Sequence, residues 1–469
     1  MQSAPAFHRT IWRWHFWAGL LVAPVLLMLS ATGAIYLFND ELNDALYPRL
    51  RFVAPHGSTV PVSHMIDAAL RTYPGSASRI DMPATNDRSA VVFVQPDHGA
   101  PRRVAVDPGS GRVLGSVVYD RTLVGWADAT HRSMLMGLAG ERLVELAVSW
   151  ALVLLVTGLI LWWPRGRFHA AGTLWPRWSG RGRRFWRDLH GPVGVWTVAL
   201  IGFLIVTGLP WAGVSGPLLH RASGALGVGY PPSFRQYNIP HSQPMKAALG
   251  EAPWTLEDAP IPHSTMPAMP AMPEIQGDHA GHGPESPGAT RDPAVIAGTD
   301  RVAALLAARG WSGSFRLFLP SGPTGVYTAF TYPDRPAGQR TLYVDRYSLR
   351  PIGREVRYDQ YGIVGRAVES GVQLHMGNYF GRANQWLMLV PCVAIWVLVI
   401  SGIAMWWKRR PRGRIGAPPP LSGARVGGLI ATLVMAGAIL PLFGISLLVI
   451  GAIDRLVARL GNRRTAEQG

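Results

Sequence analysis

Four histidines fall at two spacings, each used twice. His15 stands 17 residues before the pair Thr32-Gly33, and His190 stands 17 before Thr207-Gly208. His131 precedes Thr157-Gly158 by 26 residues and His375 precedes Ser401-Gly402 by 26, with Trp162-Trp163 and Trp406-Trp407 following at matching offsets. The repeat indicates internal duplication, which copies residues whether or not they bind anything. Two equivalent pairs of neutral imidazoles inside a helix bundle are what two bis-histidine haems b require. Spacing alone leaves copper or zinc open as well. The hydroxyl-glycine pairs read equally as small residues for close helix approach and as room for a flat macrocycle. A second constellation, His263, Met266, Met269, Met272, His279 and His282, offers thioether and imidazole ligands suited to Cu(I), although Met-Pro repeats also arise in low-complexity linkers.

These residues need a scaffold, and hydropathy supplies one. Residues 16–38, 143–163, 192–214, 386–407 and 426–453 each run at least 20 residues with almost no charge. That is enough to cross a hydrocarbon core of about 30 Å at about 1.5 Å per residue. The chain reads as a membrane α-helical bundle with four core spans plus a C-terminal fifth hydrophobic segment. The first block lacks a small-residue cleavage pattern and opens with Trp12, Trp14 and Trp17, so it is expected to stay as a span. The formal charge of +17 does not call for nucleic acid. Most of it lies in Arg9 and Arg13, in seven arginines against Asp188 over residues 164–190, and in six Lys or Arg without an acid over 408–425. With alternating spans all three segments share one side, which the positive-inside rule assigns to the cytoplasm. The expected location is a bacterial inner membrane, lipid-embedded and multi-pass, with the N-terminus cytoplasmic and the large loops periplasmic.

That topology sorts the histidines by depth. His15 and His190, at the cytoplasmic starts of the first and third spans, form an inner pair. His131 and His375 precede the second and fourth spans and form an outer pair. Twenty-six helical residues rise about 39 Å, more than the hydrocarbon core. The outer pair is therefore expected at or above the outer interface, unless Gly137 and Gly140, or Gly377 and Gly381, break the helix and turn the ring inward. Cys392, the only cysteine, lies within a span, which excludes intrachain disulfides, a Cys-based iron–sulfur cluster and covalently attached haem.

The repeat extends into the loops. Val106-Asp107 leads through Ser110-Gly111 to Tyr119-Asp120, and Val344-Asp345 leads through Ser348 to Tyr358-Asp359. The pattern predicts two small α+β modules. One has a helix over 62–72 and strands over 89–94 and 103–106; the other has a helix over 300–309 and strands over 325–331 and 340–344. The expected domains are a first span (1–38), module 1 (39–130), spans two and three with a basic loop (131–214), a segment with module 2 (215–374), span four (375–410) and the remainder (411–469). Residues 260–293, rich in Pro, Met, His and Gly, read as a mostly unstructured insertion.

Phe7-His8-Arg9, the tract from Trp14-His15-Phe16-Trp17 to Leu20, Val156-Thr157-Gly158-Leu159 with Trp162-Trp163-Pro164-Arg165, and the Val-Asp-x-x-Ser-Gly turn at 106–111 resemble the PepSY-associated transmembrane family. That family includes iron-regulated inner-membrane proteins and a siderophore reductase. The resemblance covers most of the chain up to about residue 410, without the Met/His insertion. It implies a helical bundle with periplasmic PepSY modules and, in reductase members, two b-type haems. It thus points to a haem-dependent reductase of a periplasmic ferric chelate. Neither a phosphate-binding glycine loop nor a flavin or nicotinamide domain is recognisable, so electrons are expected from a membrane quinol or a separate cytoplasmic reductase. A siderophore or metal transporter component, or a non-enzymatic PepSY-type binding or regulatory protein, are the competing readings. A transporter predicts polar or broken midplane helices, and an anchor for binding modules leaves the histidine spacing unexplained.

Overall fold

The structure is a computed structural model and describes residues 6–164, 169–178, 181–231, 243–265, 289–410, 437, 440–450 and 452. The chain divides into two compact units. One comprises Met1–Leu37, Ala127–Leu219 and Arg382–Gly469; the other comprises Phe38–Trp126 and His220–Gly381.

The first unit is built on four helices long and apolar enough to cross a membrane: Ala6–Leu37, Gly137–Trp162, Arg183–Gly208 and Arg382–Trp407, hereafter the first to fourth spans. Between 22% and 33% of each apolar window is buried within the protein. Large side chains such as Leu21, Val156, Trp196 and Trp396 therefore point outward. Water does not tolerate so large an apolar surface, and lipid does. The first span packs against the second and fourth, and the third packs against the same two, closing a ring.

Each odd span is followed by a loop that ends in a helix break. The helix Leu123–Ser133 stops just after His131. Met134, Leu135 and Gly137 then take φ of 52°, 59° and 57°, a left-handed turn that reorients the chain before the second span. The sequence placed this break at Gly137 and Gly140; Gly140 instead lies inside the span. The helix Ile363–His375 likewise ends at its histidine, and Gly377 and Gly381 carry the positive φ before the fourth span. Of the fifth hydrophobic segment, the described part is a short apolar helix, Pro441–Ile450. Its Phe443 is fully buried against Trp150, and Trp150 Nε1 donates to Ser446 Oγ at 3.2 Å. The arginines of the C-terminal tail lie outside the described residues.

The second unit is an antiparallel sheet of eight strands among the described residues: β1 (Gly75–Met82), β2 (Ala90–Pro96), β3 (Arg102–Val106), β4 (Val113–Val117), β5 (Phe315–Phe318), β6 (Val326–Phe330), β7 (Arg340–Asp345) and β8 (Pro351–Arg357). Their spatial order is β4-β3-β2-β1-β5-β6-β7-β8. The two modules expected from the sequence thus share one sheet, joined where β1 pairs with β5. Each contributes one helix, Val62–Thr72 and Pro293–Ala308, to a common core against one face of the sheet, with Met65, Ile80, Val92, Val302, Leu317 and Tyr327 at its centre. The second helix starts seven residues earlier than expected, because Asp292 caps it by accepting from the Ala294 amide and Pro293 opens its first turn. On the opposite face, Phe318, Phe330 and Tyr343 pack under the segment that carries Met245, Leu256 and Ile261.

The repeated Val-Asp-x-x-Ser element is hairpin chemistry. Asp107 accepts from the Gly109 amide and the Ser110 hydroxyl, and Asp345 accepts from the Tyr347 and Ser348 amides and the Ser348 hydroxyl. These bonds close the turns β3–β4 and β7–β8. A buried carboxyl, Glu369, accepts from the Thr255 amide at 3.0 Å and from Gln339 Nε2 at 2.9 Å. Burial pushes its pKa up, against the pull of those donors.

Candidate functional site

His15 and His190 face each other across the bundle, with ring centroids 6.3 Å apart and ring planes at 83°. Each ring is held on its Nδ1 side by a neighbouring span. His15 Nδ1 lies 2.9 Å from Thr157 Oγ1, and His190 Nδ1 lies 2.9 Å from Ser401 Oγ. Both hydroxyls already donate one turn back, Thr157 to the Val153 carbonyl and Ser401 to the Val397 carbonyl, each at 2.6 Å. A hydroxyl has one hydrogen, so toward the imidazole it accepts and Nδ1 carries the proton. The tautomer follows: Nε2 keeps its lone pair, on the far side of the ring from the hydroxyl, as a metal ligand must.

The glycine beside each hydroxyl completes the seat. A methyl group on Gly158 would lie 3.3 Å from His15 Cε1, and one on Gly402 would lie 3.6 Å from His190 Cε1. The two roles proposed for the hydroxyl-glycine pairs therefore resolve into a third, the docking of a histidine edge from the adjacent helix.

Both histidines line a cavity of about 320 Å³ enclosed by all four spans, within the range of sites for organic ligands. Its walls are apolar, with Leu26, Leu155, Val198 and Ile395, and Gly19, Gly191 and Gly194 leave parts of them without side chains. Among the lining residues no Cys, Asp or Glu accompanies the two imidazoles, while Arg183 and Arg409 stand at one end.

His131 repeats the arrangement further along the first span. Its Nδ1 lies 3.1 Å from Thr32 Oγ1, which donates to the Met28 carbonyl at 2.8 Å, and a methyl group on Gly33 would lie 3.2 Å from its Cε1. Seventeen residues separate His15 from Thr32, a rise of about 25 Å. The ring is thus seated against the first span, the inward turn that a break at Gly137 was expected to allow. His375 closes the Ile363–His375 helix in the second unit, while His131 belongs to the first. Thr207 Oγ1 donates to the Phe203 carbonyl at 2.7 Å, as its counterparts do. Of the Met/His constellation, His263 is half-buried beside Ser264, whose amide and hydroxyl bond the Thr324 and Gly325 carbonyls. Met266, Met269, Met272, His279 and His282 lie outside the described residues.

Sequence reasoning attached each hydroxyl-glycine pair to the histidine upstream on its own chain segment. The structure exchanges them: the histidine that opens the first span docks on the pair that ends the second, and His131, before the second span, docks on the pair that ends the first. Antiparallel packing produces this exchange, and the near-equal lengths of the spans were the signal for it. Glu145, a buried carboxylate in the second span, was also missed. It accepts from the Val214 and Ser215 amides and the Ser215 hydroxyl at 2.6–3.0 Å, capping the helix Ser215–Ala225, and is structural.

No curated protein matches the chain. A family described as the PepSY-associated TM region matches residues 12–409. That stretch takes in the first span from Trp12 onward, the other three spans and the histidine seats between them, and the chain belongs to this family.

Proposed function

We propose that this chain is a di-haem b electron-transfer protein of the bacterial inner membrane that reduces a periplasmic ferric chelate of the siderophore type. The geometry of His15 and His190 carries the reading. A metal between two opposed imidazoles sets the ring centroids about 6 Å apart, from two bonds of about 2 Å and a little over 1 Å within each ring. The observed 6.3 Å matches that spacing. Two protein ligands in an apolar, glycine-walled cavity suit a metal whose remaining ligands come from a planar cofactor, and zinc, which favours four protein ligands in structural sites, is a poor match.

When bound, haem supplies a one-electron couple within the bilayer. The chain's own residues do the rest. Thr157 and Ser401 hold the imidazoles in the ligating tautomer. Leu26, Leu155, Val198 and Ile395 exclude water, which disfavours the more charged ferric form and raises the potential. His131 and His375 are the ligands proposed for a second, outer haem, and the Thr32 hydroxyl is the orienter of the His131 ring. The basic segments at the N-terminus, after the second span and after the fourth support a cytoplasmic placement for the His15–His190 end. Electrons then enter from quinol or a cytoplasmic reductase and leave outward. One electron per Fe(III) weakens the chelate, because hard oxygen ligands hold Fe(II) less well. Duplication of a two-span, one-module ancestor is supported by the matching helix-plus-four-strand halves of the sheet.

The test is spectroscopic. Protein purified in detergent should show reduced-minus-oxidised b-type bands from two haems. His15→Ala and His190→Ala should remove one haem, and His131→Ala and His375→Ala the other. The near-perpendicular imidazole planes predict a highly anisotropic low-spin ferric resonance for the inner site. A folded wild-type protein that binds no haem would end the proposal, and equal loss of both haems from every variant would end the pairing.

A further inference from the structure

Arg183 and Arg409 line the same cavity as the two imidazoles. Arg183 opens the third span seven residues before His190, and Arg409 follows Gly402 by seven. Arg183 is thus two helical turns, about 10 Å along one face, from His190, and Arg409 lies just past the end of the fourth span at Trp407. Both guanidinium groups therefore sit at the same end of the cavity, the scale of a porphyrin's reach from metal to carboxylate away from the histidines. Arg409 is held over the Trp12 ring at 4.0 Å, and Trp12 lies one turn before His15. Partial burial, and next the neighbouring Arg183, pull the Arg409 guanidinium below its ordinary value. Two cations gathered at the mouth of an apolar cavity repel each other, and a dianionic ligand offsets that cost.

We infer that Arg183 and Arg409 form a carboxylate clamp for the two propionates of the porphyrin held by His15 and His190. The inference rests on the di-haem reading. It fixes the orientation of the cofactor, with its acidic edge toward the basic ends of the third and fourth spans, and makes the clamp a determinant of retention. A phospholipid phosphate is the other anion available at this depth, and the assay separates the two.

Haem-depleted protein in detergent is reconstituted with iron protoporphyrin IX or with its dimethyl ester, and loss of cofactor to an excess of a haem-scavenging apoprotein is timed. Wild-type protein should release the ester about tenfold faster or more from the inner site, since charge-assisted contacts are removed. The double variant Arg183→Gln/Arg409→Gln should release the native cofactor at the faster rate, no longer discriminate against the ester, and show a lower midpoint potential at the inner site. The wild-type arm needs no variant, so it stands even if the substitutions impair folding. Equal retention of both cofactors by wild-type protein overturns the clamp. Loss of bound phospholipid phosphorus from the double variant, with haem release unchanged, also overturns it and assigns the arginines to a headgroup. Absence of any haem from wild-type protein is the separate failure of the underlying reading.

Discussion

Thr157→Val is the most informative perturbation of the inner site. Valine keeps the shape of threonine and removes one hydroxyl, which accepts from His15 Nδ1 at 2.9 Å and donates to the Val153 carbonyl at 2.6 Å. The carbonyl remains in the helix ladder, so the group left short of a partner is the Nδ1–H. An unsatisfied buried donor costs about 1–3 kcal/mol. At the lower end of that range, about 1 kcal/mol, the loss is roughly fivefold in affinity. Loss of the bond also makes the imidazole a poorer donor, so ferric iron is less well stabilised and the midpoint potential of the inner site should rise. Haem release kinetics and redox potentiometry of the purified variant read both effects. Thr157→Ser should behave as wild type, because serine serves at the equivalent position 401. If Thr157→Val leaves release and potential unchanged while His15→Ala abolishes inner-haem binding, the hydroxyl is mere packing and the tautomer argument fails.

Two further perturbations separate other parts of the molecule. Gly158→Ala places a methyl group 3.3 Å from His15 Cε1, and Gly33→Ala places one 3.2 Å from His131 Cε1. Each should displace one ring by a few tenths of an ångström and alter one haem's spectrum and no other; a common effect of both would contradict separate sites. Glu369 has a raised pKa in the folded sheet unit, so its contribution to stability is complete below the ordinary value of 4.5 and is lost as pH rises through the folded value. Glu369→Gln should flatten that slope and be neutral or stabilising at pH 8, because Gln339 Oε1 has no hydrogen-bond partner among the described residues and can accept from the new amide. Urea unfolding at pH 5 and pH 8 checks this, and a larger loss at pH 8 than at pH 5 would contradict it.

The four spans were legible because an apolar run of twenty residues has few alternatives to crossing a membrane. The Val62–Thr72 helix was legible to the residue, since its buried positions Val62, Met65, Ile66 and Ala69 follow helical spacing. The joint between the modules was not. Strand β1 carries Arg79 and Asp81, β5 carries Arg316, and the sequence pattern assigned no strand to either stretch. In the sheet these charges neutralise one another: Arg79 pairs with Asp81 and Glu251, its guanidinium 3.7 Å from the centroid of Phe93, and Arg316 pairs with Glu251. Period-two hydrophobicity cannot reveal a strand whose buried polar residues are satisfied by distant partners. The histidine types and spacings were equally plain, whereas their seats depended on the register between antiparallel neighbours, which no single helix encodes.

The exchange of histidines between spans also sets an order of events during synthesis. Once the second span has left the ribosome, His15 can reach Thr157 and His131 can reach Thr32, so the first half of the bundle acquires its hydroxyl contacts early. The seat of His190 on Ser401 must wait for the fourth span, more than two hundred residues later. Until then the cavity lacks one wall and one anchored imidazole. On the haem proposal, cofactor delivery at this site would therefore be a late, post-insertional step, and a chain truncated before the fourth span would carry His15 already oriented toward a ligand it has no means to keep.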